Sequence, residues 1–156
     1  EIEDRRLFKE KKVLLNFLKI LIHADSENMI YHIVWKEFSK SIRLLLSNKY
    51  VFQKFWDYQN QKITEGDWLK SFEISNVSVN KALGKMDTIK VLAIVFDRLY
   101  TLRNQLIHGG ATWDSSVNRE QIRDGSNILR LLVPSMIYIM INNNPGIVGE
   151  PCYPVV

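Results

Sequence analysis

The run Ile30-Tyr31-His32-Ile33-Val34-Trp35-Lys36-Glu37-Phe38-Ser39-Lys40-Ser41-Ile42-Arg43-Leu44-Leu45 decides the fold class. Ile30, Val34, Phe38, Ile42 and Leu45 recur at steps of three and four, which gathers apolar side chains on one face of an α-helix. Val51, Phe55 and Tyr58 repeat the pattern, and no segment sustains the two-residue alternation of a half-buried strand. The chain therefore reads as all-α. Helices are expected near residues 3 to 24, 27 to 47, 49 to 62, 66 to 83, 88 to 108 and 118 to 142. Their short connections favour an antiparallel helical bundle of about five to six helices. Asp87 is placed to cap the helix that starts at Thr88, Gly109-Gly110 to stop it in a left-handed conformation, and Asn118 with Gln121 to form a capping box.

The 156 residues fit one domain, and a chain of this length buries about 68% of its unfolded surface in a single core. Residues 1 to 142 are assigned to the helical domain and 143 to 156 to an extended C-terminal tail, which holds three of the four prolines and is expected to lie along the body through Tyr153 and the final valines. Two apolar runs imitate membrane signals. Residues 10 to 24 resemble a secretory leader, but Asn16 and Lys19 interrupt the run, so an amphipathic helix is expected. Leu131 to Ile141 falls short of the roughly 20 residues that span a bilayer. It reads as a buried core helix distorted at Pro134.

Cys152 is the sole cysteine, so an intrachain disulfide and a CxxC redox centre are excluded and a reducing, cytoplasmic setting is expected. The sequence begins at Glu1 rather than Met, which reads as trimming or as a piece of a longer protein. Net charge is +4, with basic residues scattered as on solvated helix faces; this permits nucleic-acid binding without demanding it.

Common catalytic signatures are missing: no Walker lysine loop, no GxGxxG after a strand, no HExxH and no GxSxG, so no cofactor is implied. His23 and His32 lack a neighbouring cluster of metal ligands, and no metal site is expected. The hexapeptide Arg103-Asn104-Gln105-Leu106-Ile107-His108 is different. His108 stands in the last turn of a long helix, where the macrodipole favours the imidazolium and titration falls near physiological pH. Arg103 supplies forked donors that match a phosphate and stabilise charge developing on it. Together they offer a proton-exchanging group and an anion clamp.

Five residues set Arg103 and His108 about 140° apart on an ideal helix, whereas Asn104 and His108 share a face. A joint site therefore needs either unwinding at His108 or two copies meeting across a two-fold axis. The bland reading is an Arg103 salt bridge and a histidine that interacts only with helix carbonyls.

The segment from residue 88 to about 142, with Asp97-Arg98-Leu99-Tyr100-Thr101-Leu102 leading into Arg103, Asn104 and His108, resembles the HEPN family of small α-helical proteins. That family's motif is Arg, four to six residues, then His, often with a polar residue directly after Arg. Over residues 1 to 87 the resemblance is one of architecture alone. It implies a HEPN-like domain over residues 1 to 142 that dimerises through the motif helices, with the two motifs facing a shared cleft. It also implies metal-independent RNA cleavage to a 2′,3′-cyclic phosphate and a 5′-hydroxyl. His108 would assist proton transfer at the ribose 2′-hydroxyl, Arg103 would stabilise the scissile phosphate, and Asn104 would orient the histidine or the phosphate.

In family toxins silenced by a paired nucleotidyltransferase, a tyrosine often stands two residues after the histidine; here that position is Gly110, which argues against control by modification there. Another antitoxin or an appended regulatory domain stays open. Trp113 has two readings, stacking on an unpaired RNA base or anchoring the loop or the dimer, with the packing role ahead. Trp35, Trp56 and Trp68 read as core or interface residues. The leading expectation is a ribonuclease of a toxin-antitoxin, phage-defence or stress-response system; the alternative is a noncatalytic HEPN module that binds RNA or a nucleotide, or dimerises a larger protein.

Overall fold

The computed structural model describes residues 2–107 and 119–143, with side chains described from Lys11 onward. Seven α-helices follow in chain order: α1 (Ile2–Ala24), α2 (Met29–His32), α3 (Ser39–Ser47), α4 (Gln53–Gln59), α5 (Glu65–Gly84), α6 (Thr88–Ile107) and α7 (Arg119–Asn142). A π-helical turn over Ile33–Glu37 joins α2 to α3, and a 3-10 turn over Lys49–Val51 leads into α4. Among the described residues there is no strand.

The expected single helix over residues 27 to 47 is divided. Ile30, Val34, Phe38 and Ile42 advance by three successive steps of four, and each such step over-rotates an ideal α-helix by about 40°. The wide turn, closed by the Phe38 N–H donating to the Ile33 carbonyl at 3.0 Å, absorbs part of that drift. Ile30, Val34 and Ile42 are all buried as a result. Upstream, both oxygens of Asp25 accept backbone N–H groups, from Met29 at 2.9 Å and Ile30 at 2.8 Å, and so fix the start of α2.

Buried side chains of α1 (Leu18, Leu21), α3 (Ile42, Leu45, Leu46), α6 (Val91, Leu92, Val95) and α7 (Ile128, Leu132) form one hydrophobic cluster. α6 touches α1, α3, α5 and the 3-10 turn, which makes it the most widely supported helix of the fold. Its start is capped as the sequence indicates, with Asp87 Oδ1 accepting from the Lys90 N–H at 3.0 Å. α7 comes close to α6 at Gly125. A Cβ there would lie 2.7 Å from Leu99 Cδ2, so an alanine would force Leu99 to move.

The expectation of a buried helix over Leu131 to Ile141 needs correction. Leu132, Met136 and Ile139 are buried, but Val133, Ile137 and Ile141 are exposed, because a helix in this position has only one face against the core. α7 is also continuous through Pro134, and the Ser135 hydroxyl donates to the Leu131 carbonyl at 2.9 Å. No described helix is long and apolar enough to cross a membrane. The stops at Gly109-Gly110, the cap at Asn118 and the tail from residue 144 lie outside the described residues.

Thr64 and Asp67 start α5 with a reciprocal box. Thr64 Oγ1 accepts from the Asp67 N–H at 3.2 Å, while Asp67 Oδ2 accepts from the Thr64 N–H at 3.2 Å and its hydroxyl at 2.6 Å. The hydroxyl bond first, and the backbone bond second, hold the Asp67 carboxyl below its ordinary value of 3.8. A carboxyl depressed in the fold contributes stability above its unfolded pKa and loses it as pH falls through the folded one. Urea melts of wild type and Asp67→Asn should therefore differ near neutrality and converge as pH falls below 3.8; a pH-independent difference would contradict this.

Candidate functional site

α6 carries the first five residues of the hexapeptide, and its helical period sorts them onto two faces. Val91, Val95, Arg98, Leu102 and Gln105 follow one another at steps of three and four on the buried side. Arg103, Leu106 and Ile107 are exposed, and Asn104 is half-buried between them.

Arg103 and Asn104 are brought together. Arg103 Nη1 donates to Asn104 Oδ1 at 3.2 Å, at the exposed end of α6. Among the described residues Arg103 has no ion pair, so the salt-bridge reading of this arginine finds no carboxylate partner there. Among the described residues its other donors meet no acceptor. His108 and Trp113 lie outside the described residues, and so does the question of whether the helix unwinds at the histidine.

Gln105, which the sequence reading passes over as a spacer, anchors this end of the helix. Its side chain is only 6% exposed, and Nε2 donates to the Tyr50 carbonyl at 2.6 Å. Trp56 Nε1 donates to that same carbonyl at 2.7 Å. One backbone oxygen in the 3-10 turn thus ties the last turn of α6 to α4. An exposed Arg103 follows from a buried Gln105, since two residues on a helix face nearly opposite ways, about 200° apart.

A second polar residue on the buried side is Arg98, 1% exposed. Its Nη2 donates to Ser75 Oγ at 2.7 Å, Nη1 lies 3.4 Å from Asp97 Oδ2, and the guanidinium carbon sits 4.6 Å from the centre of the Phe52 ring. Its Nε is buried without a hydrogen-bond acceptor among the described residues. Asp97 is shared, because Lys11 Nζ approaches its Oδ1 at 2.8 Å. Burial pushes the Arg98 guanidinium below its ordinary value, and Asp97 opposes that shift. The arginine thereby links α1, α5, α6 and the segment before α4. The signal for both residues was present in the sequence: positions 98 and 105 continue the apolar spacing of 91, 95 and 102, so a polar side chain there has to be satisfied internally.

The three tryptophans within the described helices have packing environments. Trp35 Nε1 donates to Thr88 Oγ1 at 2.9 Å, and Trp56 binds Tyr50 as above. Trp68 is buried between Phe55, Tyr58 and Phe72. Among the described residues no group of three or more His, Cys, Asp and Glu side chains is arranged to hold a metal ion.

No protein-family model matches this chain, and neither a curated protein nor a solved structure matches it.

Proposed function

We propose that this chain is a HEPN-type endoribonuclease, an antiparallel helical bundle that works as a homodimer with a composite site at the motif helices. The observation that carries the reading is the bare guanidinium of Arg103, hydrogen-bonded only to Asn104 among the described residues, on the solvent face of a helix end that Gln105 holds in place. Among the described residues no carboxylate pairs with this arginine, which leaves its forked donors to a phosphate in the proposed complex.

In the proposed reaction His108 takes the proton of a ribose 2′-hydroxyl, and the oxygen attacks the adjacent phosphorus. The bond from phosphorus to the 5′-oxygen breaks, and that oxygen leaves with the proton that the histidine took up, returned directly or through water. Arg103 stabilises the negative charge that accumulates on the phosphoryl oxygens. Asn104 holds the Arg103 side chain by the hydrogen bond described above. The products are a 2′,3′-cyclic phosphate and a 5′-hydroxyl, and the chemistry requires no metal. A cytoplasmic effector of a toxin-antitoxin, phage-defence or stress-response system, restrained by an antitoxin or an appended domain, is the biological setting this activity fits.

The experiment is incubation of the purified protein with total RNA in excess EDTA, read on a denaturing gel. Fragmentation is expected. RNA that is bound but stays intact would favour a noncatalytic binding module instead.

Exposed Leu106 and Ile107 beside Arg103 support a seam between two copies at this end of α6. Light scattering at micromolar concentration should return twice the 18.3 kDa mass of one chain, with an interface above about 1,000 Å² in total. A strict monomer would remove the composite site.

A further inference from the structure

Among the described residues Tyr100 is the tyrosine that packing leaves without a partner. Its side chain is 58% exposed, the most open aromatic among the described residues. Every other described tyrosine has a partner: Tyr31 meets His32, Tyr50 meets Phe55, Tyr58 stacks on Trp68, and the Tyr138 hydroxyl donates to Glu27. Tyr100 has neither a ring contact nor a hydrogen bond among the described residues. An exposed ring forgoes hydrophobic free energy that a buried one would recover, and no contact among the described residues offsets it.

Its position gives it a use. Tyr100 precedes Arg103 by three residues and Asn104 by four, so the ring and the guanidinium lie on one face about 60° apart and about 4.5 Å apart along the axis. Side chains on a helix lean toward its N-terminus, which sets the ring one turn below the guanidinium rather than across from it. A flat apolar face next to a bare forked cation pairs with the two parts of a nucleotide, a base to stack and a phosphate to clamp.

We propose that Tyr100 stacks on an unpaired RNA base next to the phosphate held by Arg103, and so selects single-stranded over base-paired substrate. This rests on the ribonuclease reading above. Stacking on a tyrosine is available only to a base free of its helix, and it is indifferent to which base it is. Binding through the ring does not change between ground state and transition state, so its loss falls on KM and spares kcat.

The test measures kcat and KM on a single-stranded oligoribonucleotide and on its duplex, for wild type, Tyr100→Ala, Tyr100→Leu and Tyr100→Phe. Expected for single strands is a KM about tenfold higher in Tyr100→Ala with kcat within about twofold, Tyr100→Leu no better than alanine, and Tyr100→Phe near wild type. The preference for single strands should shrink in the same order. Unchanged KM in Tyr100→Ala would overturn the assignment while leaving the ribonuclease intact. So would restoration by leucine, or a fall to monomer mass by light scattering, since either makes the ring an apolar packing surface between copies. If wild type cleaves neither RNA, the ribonuclease reading fails first and the assignment falls with it.

Discussion

Arg103→Ala and His108→Ala are each expected to reduce RNA cleavage by about a hundredfold or more, with the melting temperature and the dimer almost unchanged. For Arg103 the asymmetry between chemistry and stability follows from exposure. Arg103 is exposed and among the described residues has one side-chain hydrogen bond, to the neighbouring Asn104, so truncation opens no cavity and orphans no buried charge there. Surface substitutions of that kind stay within about 0.5 kcal/mol. The lost function is larger because charge on the transferring phosphoryl group would go uncompensated, or the 2′-hydroxyl would keep its proton. Asn104→Ala should be milder, since it removes a hydrogen bond to Arg103 rather than the guanidinium. If both alanine variants cleave at the wild-type rate, the nuclease is a contaminant or resides elsewhere in the chain.

Arg98→Ala should do the reverse and unfold the protein readily, with a loss of about 3 kcal/mol or more in urea melts. The substitution empties a fully buried site, strips the Phe52 face of its cation and leaves the Ser75 hydroxyl without its donor. Arg98→Met separates packing from charge. Methionine fills most of the volume, the buried Arg98 Nε that has no acceptor among the described residues is removed, and Asp97 keeps Lys11, so its stability should stay within about 1 kcal/mol of wild type. Equal losses in the two variants would mean that the guanidinium itself, through Ser75, holds α6 to α5. An undisturbed alanine variant would contradict the packing described here.

Long helices were legible in the sequence because their apolar spacing is sustained. The expected spans 3 to 24 and 118 to 142 differ from α1 and α7 by one residue at one end, 66 to 83 differs from α5 by one residue at each end, and Asp87 caps α6 as read. The break at Ile33–Glu37 was not legible, since a run of steps of four fits one α-helix on paper and the π turn that reconciles it with the core is a tertiary solution. The expectation of a buried final helix failed for a related reason: apolar content predicts that a helix has a buried face, not that it has two.

At the candidate site the sequence singled out Arg103 and Asn104, and the structure adds their hydrogen bond and their exposure. It gave no weight to Gln105 or Arg98, whose partners Tyr50 and Ser75 lie 55 and 23 residues away along the chain. Contacts of that range have no local signature beyond a polar residue at an apolar position. His108 and Trp113 are named from the sequence and lie outside the described residues.

The most direct measurement is the chemistry of the cleaved ends. Purified wild type, Arg103→Ala and His108→Ala are incubated with a defined single-stranded RNA in EDTA, and the fragments are analysed by mass spectrometry. The account predicts 2′,3′-cyclic phosphate and 5′-hydroxyl ends from wild type at a rate that chelation does not change, and their near absence from both variants. Fragments with 3′-hydroxyl and 5′-phosphate ends, or cleavage that EDTA abolishes, would contradict it.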